Sequence, residues 1–208
     1  NLRSGKNAYR YRKIDENGKK HTARKVSMQH GLADEQWDYV MVQQVSGLGG
    51  LYLSFDKFLP EYMKRLRAEL PNNPKFIIMQ TWAYQGNSEH TNFSIYNYDQ
   101  KAMYKAVTKC YMKVFKDKRY GFHALVPNGT AVQNGRTYFG DTLTRDGFHL
   151  DKRVGRYLGA CTMCEVLLGK LVVGNSNHPA TITKEEALAA QKAAHAAVLK
   201  PNKVTKIK

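Results

Sequence analysis

The sequence predicts an α/β fold with a mainly parallel sheet and helices on both of its faces. Two patterns carry that prediction. Apolar runs at Tyr39–Val42, 75–80 and 122–126 have the continuity of buried parallel strands. Between and after them lie segments of helical length whose apolar residues recur at three- and four-residue spacing. Size agrees: 208 residues suit one domain, since such a chain buries about 70% of its unfolded surface in a single core. A composition of 42% hydrophobic and 24% charged residues is that of a folded chain. No apolar run reaches the roughly 18 residues a membrane span needs.

In chain order, the first element is a hairpin. Tyr9-Arg-Tyr11-Arg alternates aromatic and basic residues, Asn17-Gly18 is a two-residue turn signal, and Thr22–Val26 is the return strand. One face is expected to be aromatic and the other basic, as a surface appendage. The strand Tyr39–Val42 follows, then the glycine-rich loop Ser46–Gly50. A helix is expected over Phe55–Leu70, with Phe55, Phe58, Leu59, Tyr62, Met63 and Leu66 on one stripe. Lys75–Gln80 is the second strand, and residues 83–98 read as a polar loop. Asp99–Lys118 is helical, Phe122–Val126 is the third strand, and a short helix is expected over Ala131–Tyr138. Lys152–Leu168 is a helix with Val154, Tyr157, Leu158, Cys161, Cys164 and Leu168 on one side, stopped by Gly169. Thr183-Lys-Glu-Glu186 is a capping box for the last, Ala-rich helix, which runs to about Leu199. The basic stretch 201–208 is expected to be a disordered tail.

The net charge is +16. Residues 1–25 carry +7 and residues 200–208 carry +4, so the 174 residues between hold only +5. The excess sits at the ends and reads as solvated periphery, so a nucleic-acid partner is not expected from net charge alone. Three cysteines, Cys110, Cys161 and Cys164, argue against a disulfide framework. Cys161-Thr-Met-Cys164 has redox spacing but lies inside a helix, away from the N-terminus that favours a thiolate, and reads as buried thiols. No spacing typical of a metal site occurs, and no metal or organic cofactor is expected. The chain opens on Asn1-Leu2-Arg3 with neither an initiator Met nor an apolar leader, which reads as a processed or trimmed product.

In parallel sheets, sites form beyond the carboxyl ends of the strands. That directs attention to loops 43–50, 81–93 and 127–149. Asp146 and His149 are the sharpest pair there. An Asp that accepts the Nδ1 proton of a His fixes its tautomer and stabilises the imidazolium formed when the ring takes up a proton. The other nitrogen then serves as base for a nucleophile. Tyr84, Asn87, His90 and Asn92 are polar-loop residues able to line a pocket. Trp82 could stack on a sugar or cover the core. Arg136 and Arg145 could hold an anion or be surface charge.

The string Asp146-Gly-Phe-His-Leu150 followed by Gly155-Arg-Tyr-Leu-Gly-Ala-Cys161 resembles the last block of SGNH hydrolases, the GDSL esterase/lipase superfamily. More narrowly, it is similar to an uncharacterised bacterial branch of that superfamily. Trp37-Asp-Tyr-Val-Met-Val-Gln-Gln-Val-Ser46, Gln80-Thr-Trp82-Ala, Val126-Pro-Asn-Gly-Thr-Ala131 and the Ala-rich final helix match the same branch. The resemblance spans roughly residues 9–200. It implies a flavodoxin-like three-layer α/β/α sandwich and a Ser-His-Asp triad, with His149 as base and Asp146 as its orienter. Gln43 or Gln44 ends the strand where the superfamily places an oxyanion donor, unless both only satisfy backbone there. Ser46, Trp82 and Asn128 are further oxyanion or substrate candidates.

The sequence departs from that pattern at the nucleophile. Nothing before Trp37 reads as a buried strand followed by the G-D-S or G-N-S turn. The resemblance thus implies one domain over residues 1–200 without its first strand and helix, with the serine supplied from outside. Internal substitutes are poor: Ser46, Ser88 in Gly86-Asn87-Ser88, and Ser176 in Gly174-Asn175-Ser176. The expectation is an esterase acting on a carbohydrate-linked or small acyl ester, exported as family members often are. The alternatives are a degenerate SGNH fold that binds carbohydrate or polyanion, and a nucleic-acid binder using the basic hairpin and tail.

Overall fold

The computed structural model describes residues 4–208 and divides the chain into two compact units. One holds the residues up to Val40 together with Phe58–Lys75; the other holds Met41–Lys57 and Phe76–Lys208.

In the first unit, strand β1 (Tyr9–Ile14) pairs antiparallel with β2 (Lys20–Val26). The hairpin is present, but its turn is not the expected Asn17-Gly18 pair. Asp15 N–H donates to the Lys19 carbonyl at 3.0 Å, closing a three-residue loop over Glu16–Gly18. The reason is the Asp15 carboxylate, whose Oδ1 accepts from the N–H groups of Asn17 and Lys19 at 3.0 and 2.9 Å and so organises a longer turn. The return strand accordingly starts at Lys20, not Thr22. Helix α1 (Met28–Leu32) starts from Ser27, which accepts from His30 N–H. Trp37 Nε1 donates to the Leu32 carbonyl at 3.0 Å, and Asn72 Nδ2 donates to the Trp37 carbonyl at 2.8 Å.

The helix expected over Phe55–Leu70 is in fact two, α2 (Tyr52–Asp56) and α3 (Leu59–Glu69). Pro60 is the cause. It has no N–H to give an i−4 carbonyl, so it is tolerated only in a first turn, and α3 begins just before it. Phe58 drops off the apolar stripe and is 61% exposed.

The second unit carries most of the α/β architecture that the strand pattern predicts, with the first residues of β3 and β4 assigned to the first unit. A three-stranded sheet runs β3-β4-β5, with β3 at Tyr39–Val42, β4 at Lys75–Met79 and β5 at Ala124–Val126; β4 and β5 are parallel. Helix α4 (Gln100–Lys116) links β4 to β5, and its N-cap Asp99 accepts from Lys101 and Ala102 N–H at 2.7 and 3.0 Å. Helix α5 (Asn128–Phe139) starts three residues earlier than expected, straight after Pro127. Helix α6 (Val154–Leu168) stops at Gly169 as expected, but Leu168 is exposed and Glu165 is buried instead. The buried carboxylate is matched by His195 Nδ1 at 2.6 Å and by Val172 N–H. Helix α7 (Lys184–Leu199) has the predicted capping box: Thr183 Oγ1 accepts from Glu186 N–H, and Glu186 accepts from Thr183 N–H. Its row of buried alanines, among them Ala190, Ala193 and Ala197, packs with Ala131, Val132, Leu143 and Leu158 in one hydrophobic cluster.

Two further expectations are corrected. Residues 83–98 are not simply a polar loop, because Tyr84, Phe93 and Tyr96 are buried there and Thr91–Tyr96 forms a 3₁₀ turn. The tail is docked, not disordered. Pro201 O accepts from Thr130 Oγ1, Thr205 N–H donates to Asn134 Oδ1 and Ile207 N–H donates to Thr137 Oγ1. Ile207 is only 7% exposed and belongs to the same cluster as the α7 alanines. All three cysteines are free thiols, and burial pushes those of Cys110 and Cys161 up to about 11. No helix among the described residues is long and apolar enough to cross a membrane.

Because backbone bonds and one apolar anchor hold the tail, Ile207→Ala is expected to cost about 2 kcal/mol. Urea unfolding would measure it, and the loss should be the same at low and high salt. A loss that vanishes in salt would mean that the lysines, not Ile207, hold the tail.

Candidate functional site

The Asp146–His149 turn is built by one carboxylate. Oδ1 of Asp146 accepts the backbone N–H groups of His149 at 2.7 Å and Phe148 at 3.3 Å, closing the turn. Oδ2 lies 2.7 Å from His149 Nδ1. The same side chain therefore shapes the backbone and orients the ring. Burial alone would raise the Asp146 carboxyl, but the bonds from His149 and Phe148 outweigh it and hold the group well below the usual carboxylate range. The imidazole is half-exposed, and Nε2 has no hydrogen-bond partner among the described residues.

Gly147 adopts φ +83°, and a Cβ there would sit 2.9 Å from Ser88 Oγ. Only glycine meets both demands. Three bonds seat the turn on the loop after β4. Trp82 Nε1 donates to the Phe148 carbonyl at 2.6 Å, Gln85 N–H donates to the Gly147 carbonyl at 2.8 Å, and Thr144 Oγ1 donates to Gln85 Oε1 at 2.6 Å. An antiparallel bridge between Thr144 and Leu150 closes its base. Trp82 is thus a positioning residue whose indole N–H fixes the turn. Gln85 has the same role and carries no motif signal; its partner is almost sixty residues away in sequence.

An aromatic cluster flanks the histidine. The Phe148 ring lies tilted at 4.2 Å from the His149 ring and meets the His90 ring edge-on at 4.6 Å, and Tyr84 lies 4.8 Å from His90. The Tyr84 hydroxyl is 3.0 Å from Ser46 Oγ, which brings the β3 loop to the same cluster. That loop approaches closely because residue 47 is glycine: a Cβ there would lie 2.4 Å from Asn92 Cβ. His90 Nδ1 accepts from Asn92 N–H and caps the 3₁₀ turn.

The remaining candidates are placed differently. Gln44 donates from Nε2 to the Ser54 carbonyl and hydroxyl, while its Oε1 accepts from Val45 N–H. Its amide closes the strand end and is not free as an oxyanion donor in this conformation. Gln43 is exposed and makes no hydrogen bond among the described residues. Ser88 is buried beneath Gly147. Asn128 is buried near Gly159 of α6, with Oδ1 unsatisfied among the described residues. Arg136 is buried, paired with Asp141 at 2.8 Å and bonded to Gln133 and the Ala83 carbonyl, so it serves structure. Arg145 reaches Asp146 only at 3.5 Å. Among the described residues no three His, Cys, Asp or Glu side chains are grouped to hold a metal ion.

A family model described as a domain of unknown function, DUF4886, matches residues 1–197. The chain belongs to the DUF4886 family. A crystal structure of a DUF4886 family protein from Bacteroides uniformis ATCC 8492 is 41% identical, with a TM-score of 0.94, covering 99% of this chain and 79% of that one. No curated protein matches the chain. Neither match carries the SGNH name, so the DUF4886 turn has to be read from its own geometry.

That geometry sets two expectations. Gly147→Ala should destabilise this DUF4886 chain by about 1–3 kcal/mol through backbone strain and collision with Ser88. A thermal melt within one degree of the parent would show that the turn tolerates a side chain. Asp146→Asn should lower the melting temperature at pH 7. The carboxyl is depressed in the fold, so its contribution is present above the ordinary Asp value of about 3.9 and fades as pH falls through the lower folded value. The difference in melting temperature between the two proteins should therefore be smaller at pH 2.5 than at pH 7; a constant difference would mean that charge is not the cause.

Proposed function

We propose that this DUF4886 protein carries the acid–base half of an SGNH-type Ser-His-Asp hydrolase, acting on a carbohydrate-linked or small acyl ester. The observation that carries the reading is the 2.7 Å contact between His149 Nδ1 and Asp146 Oδ2, made by the carboxylate that also closes the turn. With Nδ1–H donating a hydrogen bond to the ionised Asp146, the lone pair of Nε2 faces outward. It takes the proton of a serine hydroxyl as the oxygen attacks the acyl carbon. The imidazolium, stabilised by the ionised Asp146, then returns the proton to the departing alkoxide. Water completes the second half by the same route, with His149 again as base. Phe148 and His90, backed by the buried Tyr84, give the reacting group an aromatic wall, which suits an acyl chain or a sugar face.

In this reading the nucleophile is a serine in a turn of the G-D-S or G-N-S type that opens a helix; Gly86-Asn87-Ser88 and Gly174-Asn175-Ser176 open none, and Ser88 is buried. Ser46 is engaged with Tyr84. Export of the protein is part of the same proposal and rests on the resemblance alone.

A second reading, a binding protein on the same fold, draws on the Gln44 amide being tied to Ser54. Labelling with a fluorophosphonate and hydrolysis of p-nitrophenyl acetate separate the two. The hydrolase reading expects one labelled serine and a loss of about 10³-fold in kcat for His149→Ala. Absence of both label and turnover in the full-length protein, with binding of acetylated oligosaccharide retained, would replace it with the second reading.

A further inference from the structure

The charge of the hairpin is sorted by face. In an antiparallel pair, residues directly opposite share a face. Arg10 lies opposite Arg24, Arg12 opposite Thr22 and Ile14 opposite Lys20, so one face presents Arg10, Arg12, Lys20 and Arg24. All four are exposed, and none pairs with a carboxylate among the described residues. Three of the acids nearby are engaged elsewhere, and Glu16 lies in the turn beyond the strands. Asp34 binds Tyr11 and Lys13, Glu35 binds Lys13, and Asp15 binds His21. Tyr11, Lys13 and His21 belong to the opposite face, which is therefore neutralised while the outer face is not.

This arrangement works against the hairpin itself, since like charges directly opposite repel, as Arg10 and Arg24 do here. Residues two apart on a strand are about 7 Å apart and neighbouring strands about 5 Å. The cations thus form a short, regular grid, a match for anionic groups repeated along a chain. We propose that the outer face of the hairpin docks a linear acidic polysaccharide. Arginine suits this, because its planar fork binds carboxylate or sulfate oxygens in pairs. The composition of the face argues against single-stranded nucleic acid, whose binding draws on aromatic stacking. The remaining partners on this face are Ile14 and Thr22, and the tyrosines of β1 lie on the other side, with Tyr11 bonded to Asp34 and packed edge-on against His30. The surface is independent of the hydrolase reading, and a failure of either leaves the other standing.

The test uses the intact chain with polygalacturonate as the probe, and with neutral dextran and oligo-dT as comparators at matched ionic strength. Binding to polygalacturonate should exceed binding to oligo-dT, be absent for dextran and weaken steeply with salt. R10Q/R12Q/R24Q should weaken it at least tenfold, whereas K203Q/K206Q/K208Q, an equal charge change on the tail, should alter it less than twofold. The arginine variant should melt at or above the parent temperature, because a repulsive pair has been removed. Four results would overturn the proposal: an arginine variant that binds like the parent, equal weakening by both variants, tighter binding of oligo-dT, or a lower melting temperature for the arginine variant.

Discussion

The site depends on a single carboxylate working in two directions. One oxygen of Asp146 collects the N–H groups of Phe148 and His149, and the other meets the ring of His149. The backbone bonds make the turn, and the turn places the ring where the remaining oxygen can reach it. Neither half is independent of the other. The carboxyl is kept ionised well below its usual range by the contacts that give it a role, and a fixed negative charge beside Nδ1 is what a proton-shuttling imidazole requires.

A turn of this kind is only as well placed as its seat. Here the seat is the loop after β4, where the Trp82 indole, the Gln85 amide and the surface of Ser88 meet the carbonyls of Phe148 and Gly147 and the bare Cα of Gly147. The β3 loop joins through Ser46 and Tyr84. Loops that follow different strands of the sheet therefore converge at one aromatic cluster, the place where open parallel sheets assemble sites. Membership of the DUF4886 family and the match to the Bacteroides uniformis structure say that the overall fold is shared by related chains. They leave the chemistry to be argued from Asp146 and His149.

The hairpin shows a different economy of charge. Its acids neutralise one face and leave four cations on the other. Net charge alone pointed to the periphery; the register shows that the periphery is ordered. The charge at the other end is ordered too, since the basic tail lies along α5 and buries Ile207 in the cluster of the α7 alanines.

Local signals settled much of this protein. Asp99 and the Thr183–Glu186 box start their helices, Gly169 stops another, and the apolar runs at 39–42, 75–80 and 122–126 hold strands, the last shortened to Ala124–Val126, because caps and continuous apolar runs act over a few residues. The Asp146–His149 contact was legible for the same reason, as its partners are three residues apart. What the sequence alone did not decide was every feature set by distant partners. Trp82 serves the turn because Phe148 folds against it, and Gln44 is engaged because Ser54 comes back to meet it. The tail is ordered because Asn134 and Thr137 offer it hydrogen bonds. Spacing along a chain encodes the bonds a residue makes with its neighbours. Bonds across the fold exist only once the core has brought those elements together, and only the tertiary structure displays them.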